Sequence, residues 1–567
     1  MYYTPDSVVK FIINALDSLL KTHFKDAPLG LKSALDNENI KLLDFATGTG
    51  TFLLEAFRKA LETRKTSDGG TSTKEDKYQN LFGFISNNAF LDNPTFRGLR
   101  CSLLECYDEL YILNLHGNAR KKEKTPQGAK DENVFNIMQG VSINLFVKKA
   151  QATKKIYYYD VYGERAEKYA FLAQNDLNSI EWLELAPREP FYLLIPQKTP
   201  LLDEYEQGFS VQDMFQISSV GIATGKDRIF IANNTESLKE QVLKYCNEFN
   251  EQCIKDIHYR PFDIRKVYYD TKKLERAREN TFKHMLPPPP PPTNPKTPNQ
   301  TRKNVALNTP RQLKNNDKSW TQCFISSHIN DQELSSGGNG AGVNYPLYQF
   351  NNPNYTENFT PEFRSFIDKH YNHSFEPLEV LGYIYALLYS PNYRKRYEDF
   401  LKADYPKILF TNNKDLFRVL SLLGIELIGL HVLNEESLNY SFEKLKDTTI
   451  GESCYKEERN PIIKKPSHNE PEQRLYINHS AYFRGVSEEI YNYMIGGYSV
   501  LDKYLKSHKD EPCNFDHVSN IIKVIARTIE IQKTLGFLMS DLPNLKGNDS
   551  KALMQEILQN PPPPPPI

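Results

Sequence analysis

Leu42-Leu43-Asp44-Phe45-Ala46-Thr47-Gly48-Thr49-Gly50-Thr51-Phe52-Leu53-Leu54-Glu55 runs a strand, an acidic residue, two closely spaced glycines and the start of a helix together without a gap. Ile40 to Leu43 supply a short apolar run of strand length, and Thr51 to Leu61 carries apolar residues at 53, 54 and 57, a helical spacing. Gly48 and Gly50 let backbone approach a ligand where a Cβ would clash. The pattern predicts a cofactor-binding turn, with its ligand at the N-terminus of the new helix. A plain tight turn would use the same glycines, so what surrounds the turn must decide.

A dinucleotide fingerprint needs Gly-x-Gly-x-x-Gly, and position 53, where the third glycine would fall, is Leu. The Gly-Lys-Ser/Thr of a phosphate-binding loop is also missing. What remains, Asp-x-x-x-Gly-x-Gly, resembles the first motif of S-adenosylmethionine (SAM) dependent methyltransferases. Upstream, Tyr2-Tyr3-Thr4-Pro5 leads into an amphipathic helix with Val8, Val9, Ile12, Ile13, Leu16, Leu19 and Leu20. That order resembles the gamma-class DNA amino-methyltransferases. The resemblance implies S-adenosyl-L-methionine as cofactor, held by Tyr3, Thr4, Pro5, Asp44, Ala46, Thr47, Gly48 and Gly50.

Further blocks extend it along most of the chain: Gly83 to Leu91 with Thr95 to Arg100, Tyr111 to Gly117, Asp131 to Phe135, Tyr259-Arg260-Pro261-Phe262-Asp263, Thr309-Pro310-Arg311-Gln312, Tyr383 to Ala386 with Ser390 to Arg394, and Gly496 to Lys503. In this order they resemble the methyltransferase and target-recognition half of the large adenine-specific type IIG or type ISP restriction-modification proteins. The Gly83 block reads as a late strand of the catalytic sheet, and the segments from Tyr111 and from Asp131 to Val147 continue it.

Adenine N6 methylation needs Asn/Asp-Pro-Pro-aromatic: polar groups accept from the amine while a ring stacks on the flipped base. In the resembling family this motif lies between the SAM turn and the Gly83 block. Here Thr51 to Phe82 holds only a helix and the polar run Ser67 to Asp76. The same interval is too short for two further strand-helix units, since a parallel crossover alone takes about a dozen residues or more. We read an internal deletion relative to the family, and the catalytic residues are unassigned. Asn93-Pro94-Thr95-Phe96 has the Asn and the aromatic but not the second proline. Asn352-Pro353-Asn354-Tyr355 reads as a turn, and Asn560-Pro561-Pro562 offers no ring.

Six prolines run from Pro287 to Pro292 and six more from Pro561 to Pro566, one residue before Ile567. As protein each is a polyproline II rod. As coding sequence each is a candidate slipping cytosine tract, which makes a phase-variable form and a C-terminal truncation the expectation. Seven cysteines show no Cys-x-x-Cys or Cys/His ligand set, so no metal is expected. No stretch reaches the ~18 apolar residues of a membrane span, and a reduced, cytoplasmic setting with no membrane follows.

Net charge is −1 over 567 residues, but from His258 to Lys314 there are 13 Lys/Arg against 4 Asp/Glu, interleaved with Tyr259, Tyr268 and Tyr269. Phosphate contacts with aromatic packing suit a DNA cleft; a solvated face beside a proline-rich loop would carry the same charges. Tyr259, Arg260, Arg265 and Arg311 are the expected contacts to double-stranded DNA.

The expected organisation is α/β. Residues 1–150 form a contracted SAM-dependent methyltransferase (Rossmann-like) core lacking its central strands, and 151–285 a mixed α/β continuation with strands at Ile156 to Tyr162 and Phe191 to Ile195. A proline-rich linker follows at 286–299, a mixed α/β target-recognition region at 300–545 with helices at Pro377 to Leu388 and Val518 to Thr534, and a proline-ended tail at 546–567. The functional expectation is a site-specific adenine-N6 DNA methyltransferase of a restriction-modification system, degenerate or phase-variable, with a companion chain supplying nuclease or missing methyltransferase motifs. The alternative is a non-catalytic DNA-binding specificity protein.

Overall fold

A computed structural model describes residues 4–24, 27–33, 55–56, 59, 80–120, 123–149, 153–189, 191–196, 199–286, 304–313, 319–338, 340–351, 354–455, 461–540 and 551–566. The turn 42–54, the expected SAM contacts Tyr3, Asp44, Ala46, Thr47, Gly48 and Gly50, and the proline run 287–292 lie outside them. The chain forms two compact units, residues 1–199 and 200–567.

In the first unit, helix α1 (Asp6–His23) precedes a five-stranded sheet made of β1 (Asn80–Asn87), β2 (Glu109–Asn114), β3 (Val141–Lys148), β4 (Lys155–Asp160) and β5 (Leu183–Leu185) in the order β1-β3-β2-β4-β5. Helix α2 (Arg97–Cys106) joins β1 to β2, and α3 (Arg165–Gln174) follows β4. β3 is antiparallel to β1 and β2, whereas β2 and β4 are parallel, with Asn114 opposite Asp160.

Interior strand β3 is buried on both faces, with alternate residues facing opposite sides. Val141, Ile143, Leu145 and Val147 face Val8, Phe11, Ile12, Ala15 and Leu19 of α1, while Phe146 faces Leu110, Ile112 and Tyr158 on the other side. The Gly83 and Tyr111 blocks are thus neighbours of β3 in one sheet, as expected. Of the helix expected after the glycine turn, Glu55, Ala56 and Lys59 are described and helical, and Ala56 packs with Val9, Ile13 and Leu31. Phe191 to Ile195, expected as a strand, is instead irregular. Tyr192 takes a φ of 49°, and the Leu194 N–H donates to Leu91 O, so this apolar run plugs a loop into the core without joining a ladder.

The second unit combines a helical core with several small sheets, two of which carry the residues of interest. One sheet runs β12-β8-β9-β7 and the other β11-β10-β13-β6. Their strands are β6 (Ser219–Val220), β7 (Ile231–Ala232), β8 (Ile254–Arg260), β9 (Asp263–Tyr268), β10 (Ala306–Pro310), β11 (Phe324–Ser326), β12 (Ile329–Asn330) and β13 (Gly342–Pro346). Helices α4 (Pro377–Tyr389), α5 (Lys414–His431), α6 (Val500–Ser507) and α7 (Phe515–Leu538) include the two helices read from sequence, the last longer at both ends. α4 is buried at every position from Val380 to Tyr389, and it touches α5 backbone to backbone: a Cβ on Gly424 would fall 1.8 Å from Gly382 O. In the C-terminal proline run Pro562 and Pro565 are buried, a three-residue interval matching one polyproline II turn.

All seven cysteines are free. Among the described residues no single helix is long and apolar enough to cross a membrane.

Candidate functional site

The Tyr259-Arg260-Pro261-Phe262-Asp263 block is the tip of the β8–β9 hairpin, with Arg260 opposite Asp263 across a two-residue turn. Pro261 presets the first turn position. Phe262 occupies the second at φ 63°, where a bulky residue is strained; its ring is fully buried edge-on to Phe324 and His431, which holds it there.

Arg260 points inward. Nη1 donates to Tyr259 O at 2.5 Å and Asp331 Oδ1 at 2.7 Å, and Nη2 donates to Glu333 Oε2 at 3.1 Å, while Nε is buried without a partner. Its guanidinium lies 4.1 Å from the Tyr259 ring centre and 5.5 Å from that of Tyr498. Burial opposes the charge, but Asp331, Tyr498, Tyr259 and Glu333 outweigh it and raise the pKa. Burial pushes the Asp331 carboxyl up to about 6, against the pull of Arg260.

Arg265 covers the Tyr259 ring at 4.5 Å and grips Asp263 through Nε and Nη2, the latter at 2.6 Å. His508 Nε2 lies 3.2 Å from Asp263 Oδ1, and its Nδ1 lies 2.8 Å from Glu511 Oε2. Burial disfavours the Asp263 anion, yet His508 and Arg265 override it and hold the carboxyl far below the usual range. Tyr259 itself donates to Asp227 Oδ2 at 3.1 Å. Tyr259, Arg260 and Arg265 therefore form one cluster, in which the arginines hold internal carboxylates. Arg311 shares none of these partners: its Nε donates to Asp404 Oδ1 at 2.8 Å, and its side chain is 41% exposed.

The Gly496 block joins the same cluster. Tyr498 O–H donates to Glu333 Oε2 at 3.4 Å, and a Cβ on Gly496 would fall 2.3 Å from Ser335 O and one on Gly337 2.5 Å from Gly497 Cα. Two cavities open beside Arg260 and Tyr498. One, of about 350 Å³, is lined by residues 223–225, Asp227, Arg260, Glu275, Arg276 and 331–333; the other, of about 320 Å³, by Gly497, Tyr498, Ser499, Asp502, Lys503, Lys506 and Ser507. Sequence reading missed the first, because its acidic wall comes from Asp227, Asp331 and Glu333, outside the basic stretch.

The first unit carries a second polar cluster that sequence reading did not assemble. It lies at the carboxyl ends of the parallel strands β2 and β4, where open α/β sheets bind ligands. Asn114 donates to Tyr158 Oη at 2.9 Å and Tyr158 O–H to Asp160 Oδ1 at 2.5 Å. The His116 ring reaches Asp160 at 2.6 Å and Glu123 at 2.8 Å, and stacks on Tyr162 at 3.9 Å. Burial opposes the imidazolium, but the two carboxylates prevail and raise the His116 pKa. Beneath it, fully buried Lys168 and Asp131 pair at 2.8 Å. Asp131 also accepts from Gly117 N and Gly163 N, fixing the loop after β2. Asn93 of the Asn-Pro-Thr-Phe segment caps its own turn, its Oδ1 accepting from Thr95 N at 2.9 Å. Of the expected SAM contacts that are described, Pro5 precedes α1 and its carbonyl accepts from Val8 N and Val9 N; Thr4 adjoins it. Among the described residues no set of His, Cys, Asp and Glu is placed to hold a metal.

Residues 244–534 match the model of the Type ISP C-terminal specificity domain. The fold is similar to that of the ATP-dependent Type ISP restriction-modification enzyme LlaBIII bound to DNA, at 19% identity and TM-score 0.63, over 94% of this chain and 47% of that one. It is similar also to DrdV in its DNA complex, at 17% identity and TM-score 0.61, over 94% of this chain and 69% of that one. A nuclease-deletion mutant of the Type ISP enzyme LlaGI, in complex with a DNA substrate mimic, matches at 17% identity and TM-score 0.60, over 96% and 66%. The chain spans about half the length of LlaBIII. No curated protein matches the sequence.

Proposed function

The chain belongs to the Type ISP C-terminal specificity domain family, and from that premise we propose that it is a DNA-sequence-recognising part of a restriction-modification enzyme, with residues 200–567 binding double-stranded DNA. The observation that carries this reading is the family match over 244–534, which contains the whole Tyr259–Asp263, Asp331–Glu333 and Gly496–Lys503 cluster. LlaBIII, DrdV and the LlaGI mutant, each in complex with DNA or a DNA mimic, support it through the shared fold.

The finer proposal is a SAM-dependent adenine-N6 DNA methyltransferase. It rests on Asp44, Ala46, Thr47, Gly48 and Gly50 with Tyr3, Thr4 and Pro5 as the cofactor residues, and is supported by the packing of β1, β2 and β3 into one sheet under α1. SAM would supply the methyl group. The absence of Asn/Asp-Pro-Pro-aromatic from the sequence requires a companion chain or a restored reading frame for transfer. The second reading, a non-catalytic specificity protein, is favoured by Asn93, whose side-chain oxygen serves its own turn.

Incubating the full chain with methyl-labelled SAM and mixed-sequence duplex DNA, while measuring DNA binding across a salt series, tests both. Label recovered as N6-methyladenine supports the methyltransferase. Salt-dependent, sequence-selective binding without label supports the specificity protein. Soluble chain that does neither refutes both.

A further inference from the structure

The charge of the 350 Å³ cavity is wrong for a phosphate. Asp227, Glu275, Asp331 and Glu333 all line it, and a phosphodiester brought against them would be repelled. Nor are they a metal cage. On duplex DNA the features that seek carboxylates are the exocyclic amines in the major groove, of cytosine N4 above all, while guanine N7 and O6 seek an arginine fork.

The lining separates into a fixed wall and two groups left at the mouth. Asp227 is engaged by Tyr259 and Thr224, Asp331 by Arg260 and Glu333 N, and Glu333 by Arg260 and Tyr498. Arg260 thus positions the wall. Glu275 and Arg276, by contrast, pair with each other, 3.3 Å apart and both more than half exposed. The Arg276 backbone is held: its N–H donates to Ala223 O at 3.0 Å, and its carbonyl O accepts the reciprocal bond from Ala223 N at 3.1 Å. Gly225, at φ 70°, leaves the space that Glu275 uses, since a Cβ there would come 3.0 Å from Oε2. A carboxylate and a guanidinium are therefore presented side by side from a fixed edge.

We propose that Glu275 and Arg276 read one G·C base pair of the target in the major groove, Arg276 donating to guanine N7 and O6 and Glu275 accepting from cytosine N4. An A·T pair fits less well, because it sets a donor beside its purine acceptor and brings a thymine methyl to a wall whose apolar share is Ala223. This assignment rests on the DNA-recognition reading above.

The test is selection from a pool of randomised duplexes by the full chain and by its Glu275→Gln and Arg276→Ala variants, each first shown to unfold at the wild-type temperature. The wild type is expected to enrich a motif containing a G·C position that Arg276→Ala relaxes while leaving the other positions of the motif as they are, with affinity for the selected motif falling roughly 10- to 100-fold and the salt slope unchanged. Glu275→Gln is expected to weaken preference at the same position. Equal loss on all sequences with a shallower salt slope would make Arg276 a phosphate contact and overturn the proposal. So would relaxation at an A·T position or an unaltered motif. A wild type that enriches nothing sinks the DNA reading as well, and is distinguished by that.

Discussion

Lys168 in the first unit and Arg260 in the second are both buried cations that tie together segments far apart in sequence, yet they differ in what they leave over. Lys168 spends its ammonium completely: Asp131 at 2.8 Å, Leu115 O at 2.7 Å and Glu132 O at 2.6 Å account for its three donors. Arg260 has five donors, and the one on Nε is buried without a partner. One partner of Lys168, Asp131, is sealed; one partner of Arg260, Glu333, is 38% exposed at a cavity. A closed network fixes a loop, whereas an open one can fix a wall and still face a ligand.

The largest effect expected from this contrast is at Lys168. Lys168→Met leaves Asp131 buried with its countercharge gone, which costs about 3–5 kcal/mol. Urea unfolding followed by hydrogen exchange on β3 should show the loss in the first unit; a change under 1 kcal/mol would mean that the pair is not closed as described.

Arg260→Met should cost less, on the order of 2 kcal/mol at pH 7.5, because Asp331 can take up a proton and Glu333 can turn to water. The sign is set by Asp331. Its folded pKa is about 6, above the ordinary carboxylate value, even with Arg260 pulling it down; without Arg260 it rises further, so the folded variant binds the proton more tightly and gains stability as pH falls. Unfolding curves at pH 5 and 7.5 check this. A deficit that grows on acidification would break the comparison.

A smaller, pH-dependent effect belongs to Asp263 and His508. Asp263, with its depressed pKa, contributes stability that is present above the unfolded carboxylate range and lost as pH falls toward its folded value. His508 is raised, as Asp263 and Glu511 outweigh burial, so its contribution is complete below its unfolded value and fades as pH rises through the folded one. The contribution of the Asp263–His508 pair should be greatest between about pH 4.5 and 6.5. His508→Asn should flatten the alkaline side by about 1 kcal/mol while leaving the acid side steep.

Which parts were legible in sequence follows from the range of the signals. The apolar run after Pro377 is local and is a helix as expected, whereas the sheet segment expected from Asp131 to Val147 is strand only from Val141. Phe191 to Ile195 has strand composition, but nothing local says that no ladder partner awaits it. Arg260 is an expected DNA contact from the excess charge around it; its countercharges, Asp331 and Glu333, come some seventy residues later, and only folding brings them under its guanidinium. The His116 cluster was hidden for the same reason, since Asp160 is on a neighbouring strand. The Tyr-Arg-Pro-Phe-Asp block forms the hairpin turn, where Arg260 holds internal carboxylates that no local signal announces.

Arg311 should give the smallest change in stability and for that reason sharpens the contrast most cleanly. Its pair with Asp404 is 41% exposed on the arginine side, and such pairs contribute about 0–1 kcal/mol. Arg311→Ala should therefore leave the unfolding transition nearly in place. Unlike Arg260, Arg311 can swing a guanidinium to a phosphate without stranding a buried carboxylate, so any effect on DNA should be electrostatic and uniform across sequences. The expected readout is a salt slope of binding reduced by about one, with the selected motif unchanged. An unchanged slope would remove Arg311 from the interface; a changed motif would move it from the backbone to a base.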